Sequence, residues 1–312
     1  MSITQILDKK TIDGWALTNE DKNMLLQQII NGLALGSIYA LIALGFSVIY
    51  KSTDILNLAH GDMMMISAFV AFVFLTELHL PFMISYVCVL IFSVLLGFVL
   101  DRLIFRPLIG YPLFPVVMAT ISVGIILKGL VGMIWGYTDR ALPSPLRETP
   151  VQIFSAVITS SHLSIIIISL LFMIVFAVLY KYTRIGTAMR ANAQDPVASH
   201  LCGIWVKRIH SISWISGAIL AAAAAILVAP IIFLSPSISH IGFKALPAAV
   251  LGGFGSILGA VVGGFVLGIS EILAGTFMPE TLKDSFPWVV VFIVLLLRPE
   301  GIFNVYEKRK RV

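Results

Sequence analysis

The apolar residues of this chain neither alternate nor recur once per helical turn; they run on. No charge interrupts Asn23 to Tyr50, Thr149 to Tyr180 or Ile209 to Phe243. Each run exceeds the roughly 20 apolar residues with which a helix crosses the hydrocarbon of a bilayer. Apolar segments fall near 24–50, 61–79, 81–100, 113–135, 163–182 and 209–229, followed by a glycine-rich pair within 243–275 and a short last segment at 285–298. The pattern predicts an all-α fold, a polytopic membrane helix bundle of about 8 to 10 segments. It divides the chain into a polar N-terminal extension (1–22), one transmembrane domain (23–303) and a basic tail (304–312).

Charge sets the orientation. Lys181, Arg184, Arg190, Lys207 and Arg208 surround one acid, Asp195, in the loop 183–208, and the tail adds Arg298, Lys308, Arg309, Lys310 and Arg311. Both regions, with Arg102 and Arg106, belong on the cytoplasmic side by the positive-inside rule. The stretch 136–162, with Pro143, Pro145 and Pro150, is then an ordered extracytoplasmic loop that cannot become helix. The same parity constrains FKALPAAVLGGFGSILGAVVGGFVLGISEILAG, residues 243–275, which is too short for two spans and a turn. A broken or re-entrant helix pair meeting near Gly252, Gly253 and Gly255 solves the count, and such breaks are tolerated only when buried in protein or lining a cavity. The spacing of Gly255, Gly259 and Gly263, and of Gly264 and Gly268, also suits plain close packing of helices.

A second soft spot is KSTDILNLAHGDMMMISAF, residues 51–69. Asn57, His60, Gly61 and Asp62 sit between two spans, where an unpaired polar group facing lipid costs several kcal/mol. They face protein or water, either as a polar wedge in a pathway or as an interfacial turn with Asp62 capping the next helix. Two more charges, Lys128 and Glu271, lie inside spans; they can snorkel, or one can neutralise the other across the bundle.

Composition narrows the chemistry. With 59% hydrophobic and 12% charged residues the chain is an integral membrane protein. Its formal charge of +5 gathers at the ends of spans rather than among aromatics on a soluble face, which argues against nucleic-acid binding. Cys88 and Cys202 give no disulfide framework, and His60 has no second ligand at metal spacing, so neither metal nor cofactor is expected. GGFGSILG lacks the Lys of a phosphate loop.

The central block TRIGTAMRANAQDPVASHLCGI, residues 183–204, is the exception to this hydrocarbon. Thr183 to Ala193 is rich in helix formers, and Gly186 gives room to turn out of the preceding span. Asp195 and Pro196 form an N-cap and first-turn pair, and Gly203 stands where a helix ends, so VASHLC is a helix of under two turns. Too short to be stable alone, it lies on lipid headgroups near Arg184 and Arg190 or plugs into a soluble partner; its small-residue surface favours the plug.

Six segments in order resemble a known family: NGLALGSIYALIALGFSVIY (31–50), NLAHGD (57–62), ALPSPL (141–146), the central block (183–204), AAVLGGFGSILGAVVGG (248–264) and RPEGIF (298–303). From about Gln27 to Phe303 the chain is similar to the membrane-spanning permease subunits of ABC importers for branched-chain amino acids. The resemblance implies a multi-pass protein of the cytoplasmic (inner) membrane that is no enzyme itself. ATP-binding cassette ATPase subunits would dock on the central helix, with Arg184, Gly186, Arg190, Asp195 and Gly203 in the coupling role. It further implies a second permease subunit that is a different chain, a surrounding of membrane lipid, and an extracytoplasmic solute-binding protein that delivers the cargo. The cargo would cross between Asn57, His60, Gly61 and Asp62 and the break at Gly252, Gly253 and Gly255. A urea or short-chain amide permease fits the same pattern, and a stand-alone secondary transporter would have to use Glu271 as its ion site.

Overall fold

The computed structural model describes residues 19–143, 150–153, 156–279, 283, 285–298 and 301–303. Most of the polar extension, Pro145 and the tail with Lys308, Arg309, Lys310 and Arg311 lie outside the described residues. Among those described, seven helices are long and apolar enough to cross a membrane. They are α1 (Asn19–Thr53), α2 (His60–Phe72, prolonged by a π-helical turn Val73–Glu77), α3 (Phe82–Leu100, prolonged by a π-helical turn Asp101–Phe105), α4 (Leu113–Trp135), α5 (Ser160–Tyr182), α8 (Val206–Val228) and α11 (Ile257–Phe277). Between α5 and α8 lie α6 (Arg184–Gln194) and α7 (Pro196–Leu201); between α8 and α11 lie the short α9 (Ser239–Lys244) and α10 (Leu246–Gly252); the short apolar α12 (Phe286–Leu297) comes last. Seven spans and one shorter apolar helix fall at the low edge of the expected number. Among the described residues a hairpin departs from the all-helical expectation, β1 (Pro150–Ile153) antiparallel to β2 (Ala156–Thr159), in the proline-bearing loop where helix was excluded.

Helix α1 is the axis. It is buried along 89% of its most apolar stretch, against 22% for α5 at the periphery. In a membrane no hydrophobic force drives one apolar helix onto another, so close backbone approach decides packing. Gly264 and Gly268 of α11 pack on Ala40 and Gly36 of α1, and a side chain at any of these glycines would collide with the facing backbone. On another side α8, with its buried run Ala221–Ala225, packs on α1 and α3; Gly217 takes the Ile49 side chain and Gly97 of α3 lies on the Trp214 carbonyl.

Two crossings are interrupted, in opposite halves. Helix α1 ends at Thr53, Asp54 turns the chain at φ 54°, and residues 54–59 run back non-helically until α2 begins at His60. The His60 ring lies against Gly45 and Phe46, with ring centroids 4.6 Å apart in the latter pair. Gly45 is eight residues before the end of α1, so α2 starts about 12 Å inside the bundle at 1.5 Å per residue. The second interruption precedes α9: an isolated bridge joins Leu234 to Arg140, a 3₁₀ turn follows at Pro236–Ile238, and α9 begins at Ser239. The two meet where Gly61 packs on Gly242 and the Ser239 carbonyl, glycine on glycine. The helical break expected near Gly252–Gly255 is present, but its flanks are unequal: seven-residue α10 enters it and 21-residue α11 leaves it. Gly253 and Gly255 have φ of 93° and 82°, which a side chain would strain. Gly255 lies against Lys51, which puts this turn at the basic end of α1.

Candidate functional site

The wedge is built on one stripe of α4. Thr120, Gly124 and Lys128 follow at i, i+4 and i+8, so they share a face. The Thr120 hydroxyl accepts from the Leu58 N–H at 3.3 Å and lies 3.3 Å from the Leu56 carbonyl, serving backbone that no helix serves. Gly124 leaves room for the Asp62 carboxylate, on which Lys128 acts electrostatically. Among the described residues Glu271 is engaged by Tyr39 and Lys244 and not by Lys128, unlike the pairing across the bundle suggested by the sequence. Glu271 accepts from the Tyr39 hydroxyl at 2.8 Å and pairs with Lys244 at 3.7 Å.

Around Gly61 several buried polar atoms have no hydrogen-bond partner among the described residues: Oδ1 of Asn57, both ring nitrogens of His60 and Oγ of Ser47. Asn57 donates only to the Met63 sulfur, at 3.3 Å. An unmet polar group costs about 1–3 kcal/mol, so this centre is not arranged for stability. The structure brings Gly61 onto Ser239 and Gly242, residues the sequence reading missed, while His60 lies on Gly45 and Phe46, Asp62 on Gly124 and Asn57 on Met63. It places Gly252, Gly253 and Gly255 elsewhere, at the basic end, where Gly252 packs on Gly259 and Gly253 on Gly301. The equal spacing of small residues gave no signal of which glycine meets which.

The central block has a built inner side and an open outer one. Gly186 of α6 packs on the Tyr180 carbonyl, and the Arg190 guanidinium donates to that carbonyl and lies over the Tyr180 ring. Asn192 donates to the Ser52 carbonyl at 2.9 Å, tying α6 to the end of α1. Asp195 Oδ1 accepts from the N–H groups of Val197 and Ala198 at 2.8 and 3.0 Å, the expected N-cap of α7. Gly203 follows with φ 85°. Of the five residues named from the sequence, Gly186, Arg190, Asp195 and Gly203 thus hold or shape the block. The outward surface is Val197, Leu201 and Trp205, exposed at 71%, 82% and 66%. Their spacing of four was the signal that could have found them.

The exit of the block is clamped as well. Asp101, fully buried at the end of α3, accepts from the Ser211 hydroxyl at 2.6 Å and lies 3.3 Å from a His210 ring nitrogen and from Arg106. Arg106 also donates to the Lys207 carbonyl at 3.1 Å, and Phe105 stacks on Trp214 with centroids 3.9 Å apart. The first turns of α8 therefore move with α3. Cys202 is exposed and Cys88 half-buried, both free.

Known proteins share this arrangement of segments. The family model of the branched-chain amino acid transport system permease component matches residues 28–297. The high-affinity branched-chain amino acid transport system permease protein LivH of Escherichia coli (strain K12) is 34% identical over 91% of this chain and 97% of its own length. The corresponding protein BraD of Pseudomonas aeruginosa is 33% identical over the same shares. A probable branched-chain amino acid transport permease protein LivH of Methanocaldococcus jannaschii is 26% identical over 93% of this chain and 97% of its own length. A match across nearly the whole chain, joined to seven apolar helices, makes this a multi-pass inner-membrane protein that belongs to the permease components of branched-chain amino acid transport systems.

Proposed function

We propose that this permease subunit carries branched-chain or closely related aliphatic amino acids, and that ATP-binding cassette subunits drive it through α7. Exposed Val197 and Leu201 on capped α7, with exposed Trp205 just beyond its end, carry this reading: Ser199, on the other side of α7, is buried. Arg184, Gly186, Arg190, Asp195 and Gly203 keep the coupling role by holding that row in place. ATP-driven closure of the partner subunits would push α7, and the push enters the bundle at Ser52 and Tyr180 through α6 and at Asp101 through α8. A second, different permease chain and a solute-binding protein seated on the loop 136–162 complete the importer. The cargo path runs by Asn57, His60, Gly61 and Asp62 and leaves at the Gly252, Gly253 and Gly255 turn.

Co-purification tests the coupling. Val197→Asp with Leu201→Asp should release the ATPase subunits at least about a hundredfold, the loss of two interface anchors, with melting of this chain unchanged. ATPases retained by that variant would refute docking on α7. Bulky Trp at Gly253 and Gly255 should stop leucine uptake in assembled complexes; intact uptake would remove the turn from the path.

A further inference from the structure

Helix α9 has a second face. Ser239 and Gly242 meet α2, whereas His240, Ile241, Phe243 and Lys244, with Ser237 just before the helix, line an open concavity of about 560 Å³ together with Trp288 of α12. Lys244 reaches Glu271, and Glu271 is bonded to Tyr39, fourteen residues before the end of α1. At 1.5 Å per residue the pair sits about 21 Å from the basic end of α1, well within the thickness of a bilayer. Polar side chains exposed at that depth are costly against lipid, so the concavity faces water or another chain.

Its chemistry is specific. The Lys244 ammonium, 3.7 Å from the buried Glu271 carboxylate, lines the concavity and brings a positive charge to it, to which an anion can bind. Glu271, fixed by Tyr39 at 2.8 Å, sets where the ammonium points. The Ser237 hydroxyl and the His240 imidazole are acceptors on the same rim. Phe243 and Trp288, with ring centroids 5.4 Å apart, add an apolar wall with Ile241. One cation, two acceptors and an aromatic wall match a carboxylate, an ammonium and a hydrocarbon tail.

We propose that this concavity is a binding subsite for an aliphatic α-amino acid zwitterion, with Lys244 on the carboxylate, Ser237 and His240 on the ammonium, and Ile241, Phe243 and Trp288 around the side chain. Glu271 is a positioning residue. The proposal rests on the amino-acid reading of the cargo given above.

The test uses the complete transporter in proteoliposomes, with Phe243→Cys in a chain whose Cys88 and Cys202 are replaced by Ser. Leucine should slow labelling of that thiol by a water-soluble maleimide about tenfold, roughly one charge-assisted contact, whereas isoamylamine, which lacks the carboxylate, should not. Lys244→Gln should remove the protection and lower leucine uptake about tenfold. Glu271→Gln should raise KM more than it lowers kcat. Adding Glu271→Gln to Lys244→Gln should not restore uptake; restoration would reduce the pair to structure and overturn the proposal. A wild-type complex that carries leucine but shows no protection overturns it too, as does protection by dihexanoyl phosphatidylglycerol in place of leucine, which would make the concavity a lipid site. A wild-type complex that carries no leucine overturns the cargo reading itself, and this inference with it.

Discussion

The two glycine-bearing breaks in this bundle are opposite in kind. At Gly252–Gly255 the turn is tied by backbone bonds: the Gly253 N–H donates to Val250, the Ser256 N–H donates to Gly253, and Ile302 and Phe303 donate to the carbonyls of Leu251 and Gly252. Ser256 caps α11 by accepting from the Gly259 N–H at 3.0 Å. At Asn57–Asp62 the His60 N–H donates to Asn57 and the Leu58 N–H leans on Thr120 of a neighbouring helix, while buried side-chain atoms of Asn57 and His60 have no partner among the described residues. A break held by cross-strapped backbone and a side-chain cap is architecture, whatever else passes it. One whose polar groups are unmet in the middle of a bundle spends stability, and a passing polar solute is what such groups can serve.

Substitutions can break or sharpen this contrast. Gly61→Leu drives a side chain into Gly242 and the Ser239 carbonyl, where both neighbours are backbone. It should cost about 3–5 kcal/mol and abolish uptake, read by melting in detergent and by leucine transport. A stable, active Gly61→Leu protein would mean that the two crossings need not touch. Lys128→Met, which removes the cation acting on Asp62 through space, should cost at most about 1 kcal/mol, and Asp62→Asn added to it should return most of that. No recovery in the double variant would assign Lys128 a different partner. Asn57→Leu removes a poorly met amide and should leave melting within about 1 kcal/mol while lowering uptake about tenfold; equal loss of both would make the wedge architecture like the other break. Ser256→Ala, at the satisfied break, should cost about 1 kcal/mol, one N-cap, with uptake kept within about twofold in assembled complexes. A larger loss of uptake there would erase the distinction.

Much of this was readable from residue order. The charge-free runs became the spans, the Asp195, Pro196 and Gly203 punctuation became α7, and the glycine run at 252–255 became a turn. The partners of the buried charges were not readable. Lys128 and Glu271 are the conspicuous ions inside spans, yet Glu271 is paired with Lys244 from an interrupted crossing, and Lys128 acts through space on Asp62 from the other. Both interrupted crossings looked in sequence like boundaries between spans, where a charge raises no question. Asp101 was hidden in the same way, as a helix-end acid beside arginines that turned out to be fully buried under the exit of the central block.

The sequence by itself determined that the chain lives in a membrane as a bundle of long apolar helices, and roughly where those helices stop, because hydrocarbon length and the needs of backbone N–H and C=O groups are local constraints. Only the tertiary structure decided which glycine faces which, so that Gly61 meets Gly242 while Gly252 meets Gly259 and Gly253 meets Gly301. It alone decided which acid answers which base. In an apolar solvent one small residue packs as well as another until two backbones meet at a given depth, and depth and rotation belong to the whole bundle.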